Sequence, residues 1–319
     1  MVISLARSIR FEMKVKSPFN LSETILSGQM NEAAWLRGAE GFTDVEILAG
    51  TPVRISIAQK GSVDHPTLSV NLTSESNIRD DIVDYATRYL TSLFRLDDNI
   101  ELFYSRFKSD PLAISFQASR GLRLMKATNP FESLICSICS QNTSVERWNS
   151  IVTFIKQRWG RKFTFQNNEG ELHSLPEPYA LAKAKKSELI KGSLGYRAAY
   201  VRAASALVSS RYLDLEALDK GGYLQTYDAL LEVRGVGPKV ADCFCLYGLG
   251  FTEAAPIDRW VERAVSHLYF DGCRVGRRMV GEFIRRRFST WAGYAQLYLF
   301  HYWRTKLRNV TTAIPAGST

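Results

Sequence analysis

The sequence predicts an α+β protein in which an N-terminal domain built on an antiparallel sheet, residues 1–97, precedes a mainly helical region, residues 98–319. Three observations predict it. Arg10 to Val15, Asp44 to Leu48, Val53 to Gln59 and Thr67 to Leu72 are short runs rich in Val, Ile and Phe, with Gly, Asp, Asn and Pro between them, the pattern of strands joined by turns. The segment IRDDIVDYATRYLTSLF then places Ile78, Ile82, Tyr85, Ala86 and Tyr89 on one helical face, so a helix is expected to cover one side of the sheet and end near Phe94. Beyond residue 98 the apolar spacing turns helical: Leu134, Ile135 and Ile138, then Val145, Trp148, Val152 and Ile155, later Val261, Ala264, Val265 and Leu268, and last Trp291, Tyr294, Ala295 and Tyr298. The stretch NEGELHSLPEPY reads as a loop between helices.

Composition narrows the function class. At 319 residues, 45% hydrophobic and 23% charged, the chain is long enough for one large or two ordinary globular domains and is not disordered. Its 41 Lys+Arg against 32 Asp+Glu give a net charge of +9, which favours a polyanionic partner. No apolar run is long enough for a membrane helix, and the opening MVISLARSIRFEMKVK lacks the continuous apolar core of a signal peptide. A soluble intracellular protein is expected. Five scattered cysteines, Cys136, Cys139, Cys243, Cys245 and Cys273, do not form a disulfide framework, and Cys136-Ser-Ile-Cys139 sits in an apolar helical run with no second pair at ligand spacing.

The chemistry concentrates between Leu231 and Asp258. GYLQTYDALLEV places Tyr223, Leu224, Tyr227, Leu230 and Leu231 on the apolar stripe of a helix. Gly235-Val236-Gly237 breaks it, and Pro238 is pre-set for the first turn of a second helix. Such a helix-hairpin-helix points backbone N–H groups, with the helix dipole behind them, at a phosphate. Lys239 lies in the first turn, where the dipole disfavours a cation; the placement suggests a lowered pKa, which a nucleophilic lysine needs. Lys239, Cys243 and Tyr247 follow one another at i, i+4 and i+8, so one helix face carries all three. Asp258 opens the next helix as a plausible N-cap. Near the C-terminus Gln296 and Phe300 stand i, i+4, an amide with donor and acceptors beside a stacking ring. RVGRRMVGEFIRRRF is the densest basic segment, suited to phosphate contacts or simply to solvent.

GVGPKVADC followed by Pro256-Ile257-Asp258 resembles the signature of the helix-hairpin-helix (HhH-GPD) DNA glycosylases, and specifically of the 8-oxoguanine DNA glycosylase/lyases. The resemblance runs from about Ser27 to Arg308 and implies two helical subdomains with the active-site cleft between them. It implies that Lys239 attacks the sugar C1′ and that Asp258 assists. Ser27-Gly28-Gln29 matches a family tripeptide whose glycine carbonyl, here Gly28, accepts a hydrogen bond from N7–H of the damaged base, a hydrogen that guanine lacks. Cys243, Gln296 and Phe300 match the base pocket. Within NPFESLICSICSQN, Asn142 matches the residue that fills the space of the extruded nucleotide, and Arg147 would contact the orphaned cytosine. Tyr196 of Gly-Ser-Leu-Gly-Tyr-Arg matches a tyrosine that pushes into the duplex, and Gly235 and Gly237 the phosphate-binding hairpin.

Two positions depart from the pattern. Trp260 stands where relatives commonly have a phosphate-contacting histidine, which puts that contact in doubt, and Tyr247 replaces a smaller apolar residue and narrows the pocket. The C-terminal RTKLRNVTTAIPAGST has no cysteine, so the iron–sulfur cluster of some relatives is not expected. The resemblance implies no cofactor, apart from a structural monovalent cation at the hairpin. The expected partner is double-stranded DNA carrying 8-oxoguanine opposite cytosine, bound by a monomer in the nucleoid of a prokaryote or the nucleus of a eukaryote. Two alternatives remain at this level: a monofunctional glycosylase for alkylated or mispaired bases, in which Asp258 activates water, and a non-enzymatic DNA-binding protein, since glycine hairpins with a lysine also occur in such modules.

Overall fold

Period-two burial builds the first half of the protein. Strands β1 (Arg7–Lys14), β2 (Leu36–Arg37), β3 (Phe42–Leu48), β4 (Thr51–Lys60) and β5 (Thr67–Ser74) form one sheet in the order β1-β5-β4-β3-β2, antiparallel at every pairing. Val53, Ile55 and Ile57 of β4 and Leu68, Val70 and Leu72 of β5 alternate with more exposed neighbours and are wholly buried or nearly so. In the β3–β4 hairpin Ala49 and Gly50 both have positive φ, 49° and 81°, the backbone that a two-residue turn needs to match strand twist. The structure is a computed structural model and describes residues 7–31, 35–38, 41–76, 78, 81–165 and 171–305. The first six residues of the chain and those after Thr305 lie outside the described residues.

The expected helix over the sheet spans Ile82–Leu93, and its inner stripe is Ile82, Ala86, Leu90 and Leu93. Tyr85 is 36% exposed, and Ile78 is buried but precedes the helix. The cause is geometric: at about 100° per residue Ile82, Ala86, Leu90 and Leu93 fall within roughly 80° of one another, and Tyr85 lies about 60° outside that arc. A similar narrowing holds for Tyr223–Leu231, where Leu224 and Leu231 are 72% and 39% exposed while Tyr223, Tyr227 and Leu230 pack inward.

Two hydrophobic cores divide the chain between Leu96 and Ile100, with Met125 returning to the first. The second core is helical. Its axis is the last helix, Ala292–Thr305, in which Tyr294, Ala295, Leu297, Tyr298 and Leu299 are fully buried. The Tyr298 hydroxyl donates to Leu122 O at 2.7 Å, and that of Tyr294 to Asp98 Oδ2 at 2.6 Å. Against it pack Arg259–Tyr269, Arg277–Phe288 and Ala113–Ala118, while Pro130–Cys139, capped by Asn129, packs on Arg197–Ser209 and on Val145–Trp159, capped by Ser144. Among the described residues no helix is long and apolar enough to cross a membrane.

Buried polar groups join the two halves. Arg123 is completely buried, and its guanidinium donates to the carbonyls of Lys16, Pro18, Arg95 and Asp98 at 2.8–3.2 Å. Gln29 is likewise saturated: its amide nitrogen donates to Thr24 O and Arg123 O, and its carbonyl accepts from Met125 N–H. A third contact sets a buried carboxyl of β3 beside an ion pair of the helical half. Lys156 pairs with Glu132 at 2.8 Å, and burial pushes the neighbouring Asp44 carboxyl up to about 8, with the charge of Lys156 the largest influence opposing it.

Arg123→Met would leave the Lys16 and Pro18 carbonyls without donors inside the protein, while those of Arg95 and Asp98 would keep only the N–H groups of Asp98 and Ile100. Removing a charged donor from buried acceptors costs about 1–3 kcal/mol per group. A loss of at least about 3 kcal/mol in urea unfolding is expected; a loss below about 1 kcal/mol would show that water replaces the guanidinium.

Candidate active site

The helix-hairpin-helix forms as the sequence implies. Tyr223–Leu231 ends at Glu232, the turn follows, and Pro238–Cys243 begins with proline at its first position. Gly235 has φ +88°, and a β-carbon there would lie 2.1 Å from the Tyr200 ring, so both backbone and packing require glycine. Gly237 is extended and faces open space at the N-terminus of the second helix, leaving the backbone accessible to a phosphate. The second helix does not continue regularly: from Phe244 to Leu249 it widens into π-helical turns. Such turns recur at functional sites, and this one delivers Tyr247 O to Ala127 N–H at 2.7 Å. Lys239, Cys243 and Tyr247 still share one wall.

That wall bounds a cavity of about 140 Å³, lined also by Gly28, Cys136, Trp148, Asp258, Gln296 and Phe300. Five separate chain segments therefore meet where the sequence placed a base pocket. The cavity opens into a groove of about 1250 Å³ lined by Asn142, Gly237, Trp260, Arg277, Arg278 and Arg285. Lys239, Asp258, Ser140 and Phe300 border both spaces and so stand at the mouth between them.

Lys239 is half-buried, and its ammonium donates to Ser140 Oγ at 2.8 Å; that hydroxyl in turn donates to Ser137 O. Asp258 is both an N-cap and a pocket residue. Its Oδ1 accepts from Trp260 N–H and Val261 N–H, each at 2.9 Å, which leaves Oδ2 for the mouth. Burial pushes the Asp258 carboxyl above the usual carboxylate range, against the Val261 N–H, the charge of Lys239, the Trp260 N–H and the charge of Arg277. Burial also raises the Cys243 thiol, so this residue faces the cavity as a neutral, soft surface. Gln296 is buried, and the Tyr247 hydroxyl donates to its Oε1 at 3.2 Å. Tyr247 thus narrows the pocket and also takes one acceptor position of the glutamine.

Gly28 has φ +76°, and a β-carbon there would meet the Arg304 guanidinium at 2.8 Å. The backbone favours glycine here, and any larger residue would also displace the end of the Arg304 side chain. No donor among the described residues reaches the Gly28 carbonyl, whereas that of Ser27 accepts from Arg304 Nη2 at 2.7 Å.

At the far side of the groove, Asn142 (φ +44°) donates through Nδ2 to the Tyr196 hydroxyl at 3.1 Å, and both side chains are exposed. The two expected duplex-probing residues therefore form one tip. Arg147 is exposed in the first turn of Val145–Trp159. Trp260 borders the groove between Arg259 and Arg263, whose guanidinium carbons lie 5.4 and 5.9 Å from its ring centroid, so cations flank the tryptophan. Three contributors escaped the sequence reading: Ser140, which holds Lys239; Arg197, which donates to the carbonyls of Gln141 and Asn142 and so shapes the tip; and Arg304. The only local signals were the arginine following Tyr196 and the i+4 spacing of Arg304 from Phe300. Gln141 completes the tie by donating to Gly235 O at 3.0 Å.

Among the described residues no cluster of His, Cys, Asp and Glu suits a metal ion. A monovalent ion at the hairpin would use backbone carbonyls; those of Val233 and Gly235 accept from Val236 N–H and Gln141 Nε2, and each keeps one lone pair for such an ion.

Comparison with known proteins agrees with this geometry. Residues 135–287 match the HhH-GPD superfamily base excision DNA repair protein family. A probable N-glycosylase/DNA lyase of Methanothermobacter thermautotrophicus is 33% identical over 305 residues, covering 90% of this chain and 94% of that protein. The N-glycosylase/DNA lyase of Saccharomyces cerevisiae is 30% identical over 193 residues, and there the match spans about half of the yeast protein, 51%. Among solved structures, MBOgg1 in complex with a low-affinity DNA ligand superposes with TM-score 0.79 at 25% identity, covering 94% of this chain and 99% of that one. The Clostridium acetobutylicum 8-oxoguanine glycosylase/lyase, solved with double-stranded DNA containing cytosine opposite 8-oxoguanine, shares the fold at TM-score 0.78 and 23% identity, over 93% and 98% of the two chains. With a hairpin lysine and a capping aspartate at the mouth of a base-sized cavity, and with near full-length similarity to the archaeal protein, the chain belongs to the N-glycosylase/DNA lyase family of the HhH-GPD superfamily of base excision DNA repair proteins.

Proposed function

We propose that the protein excises 8-oxoguanine from duplex DNA opposite cytosine and then cleaves the strand as a lyase. The observation that carries this reading is the position of Lys239 and Asp258 at the mouth between a small cavity and a basic groove. A nucleotide turned out of the helix would have its base in the cavity and its phosphates in the groove, which leaves its C1′ at the mouth. Asp258, ionised, stabilises the positive charge that develops on the sugar. Neutral Lys239 forms a bond to C1′ as the C1′–N9 bond breaks and its electron pair leaves with the base. The adduct opens to a Schiff base, and loss of the C2′ proton then expels the 3′-phosphate. A monovalent ion on the hairpin carbonyls would aid phosphate binding and take no part in these steps.

Base choice follows from the pocket. Guanine and its 8-oxo form share the Watson–Crick edge, so Gln296 and Phe300 set affinity for both. They differ at N7, an acceptor in guanine and a donor in the lesion. The Gly28 carbonyl, which no described donor occupies, gains a bond with one and repels the other.

Borohydride should trap the protein on 8-oxoguanine:cytosine duplex, and Lys239→Gln should abolish the adduct; a wild type that excises base but never traps would favour the monofunctional mechanism. Asp258→Asn keeps a good N-cap, so its melt should match wild type while single-turnover excision falls by roughly 10²–10³-fold. Because Asp258 must be charged and its pKa is raised, the acid limb of kcat/KM should lie above the ordinary aspartate value of about 3.9, with activity lost as pH falls through it. Gly28→Ala should slow lesion excision through a strained backbone and a displaced Arg304. Guanine excised within about tenfold of the lesion rate, equivalent to about 1.4 kcal/mol, would sink the Gly28 readout.

A further inference from the structure

The two base-reading walls of the cavity come from opposite ends of the chain, and one side chain touches both. Arg304 donates through Nη2 to the carbonyls of Ser27 at 2.7 Å and Leu26 at 3.3 Å. Its guanidinium carbon lies 5.3 Å from the centroid of the Phe300 ring. The same group lies directly against Gly28, within 2.8 Å of where a β-carbon would be. One turn earlier on the same helix, His301 meets Glu23 at 2.5 Å, so the last helix grips residues 23–27 at two adjacent points, one in the Leu21–Ile25 helix and one just past its end.

We propose that Arg304 is a positioning residue for base selection, a planar clamp that sets the Gly28 carbonyl at a fixed distance from the stacking face of Phe300. The proposal rests on the 8-oxoguanine reading above. The physical argument is one of tolerance. Discrimination at N7 depends on a single hydrogen bond, and Gly28 has no side chain to fix its carbonyl: Gln29 anchors the chain on one side through its own hydrogen bonds, and on the other side Arg304 holds the Ser27 carbonyl. By occupying Ser27 O, Arg304 also removes the neighbouring acceptor from competition, so that Gly28 presents the carbonyl available to a ligand. A guanidinium suits this place because its flat face lies on the ring while its edge donates to two carbonyls at once; an ammonium cannot do both. Arg304 acts here on the carbonyls of Leu26 and Ser27 and on the Phe300 ring, whereas Lys239 is held by Ser140, so the lyase step on a site that already lacks its base does not require Arg304.

The test compares wild type, Arg304→Ala and Arg304→Lys on two duplexes, one with 8-oxoguanine opposite cytosine and one with an abasic site opposite cytosine. Excision, strand nicking and borohydride trapping are read under single turnover. Arg304→Ala is expected to lose on the order of 10- to 100-fold on the lesion, the loss of one or two charge-assisted contacts, with a lower ratio of lesion to guanine excision. Nicking and trapping of the abasic duplex should stay within about threefold of wild type, a window well under one such contact. Arg304→Lys keeps a donor for Ser27 O but not the ring contact and should fall between. Equal losses on both duplexes overturn the proposal, since they mean a phosphate contact from the groove that Arg304 also borders, or a general loss of structure. Unchanged excision overturns it as well. If wild type nicks the abasic duplex but leaves 8-oxoguanine in place, the substrate reading falls first and takes the clamp with it.

Discussion

Four backbone carbonyls, from the N-terminal segment and from the turn that leaves the first domain, converge on the guanidinium of Arg123 deep inside the protein. Each would be costly to bury unpaired, and a guanidinium is the one side chain with enough donors in a fixed plane to meet them all. Gln29 extends the same network to Thr24 and Met125. The consequence is positional. Gly28 belongs by sequence to the sheet domain, yet with Gln29, Met30 and Asn31 it lines a cavity whose other walls come from the helical half. The register between the halves is held by polar groups whose geometry is specific, whereas apolar packing alone would tolerate sliding.

The same economy of partners explains the mouth of the cavity. The proposed mechanism needs Asp258 as an anion, and burial opposes this. The two N–H groups of its own helix and the nearby Lys239 offset much of that cost, so one carboxylate caps a helix through Oδ1 and presents Oδ2 to the site. The cap reading and the catalytic reading of Asp258 are therefore compatible rather than competing. Ser140 gives Lys239 a neutral partner, which orients the amine without the ion pair that would bind its charge more tightly.

Runs rich in Val, Ile and Phe between turn residues located the long strands well, because such residues fill the fully buried face of a sheet whose other face is half-open. It read the helices less closely. An amphipathic stripe gives the direction of a buried face but not its width, which depends on what packs there; Tyr85, Leu224 and Leu231 were apolar enough for the core and ended outside it. The π-helical turn after Cys243 was also hidden, since it depends on Tyr247 O meeting an N–H 120 residues earlier, at Ala127.

The residues proposed to do the chemistry were legible because their demands are local. A glycine at positive φ, a proline at a helix start, a lysine in a first turn and an aspartate at a cap each follow from a few neighbouring positions. The residues that hold them in place were not. Lys239 meets Ser140 across 99 positions, Arg197 meets Gln141 across 56, and Arg304 meets Ser27 across 277. An arginine binds whichever carbonyls folding brings within reach, and carbonyls are identical at every residue. Sequence can therefore show that a cation is present, but its partner is chosen by the tertiary arrangement of the backbone.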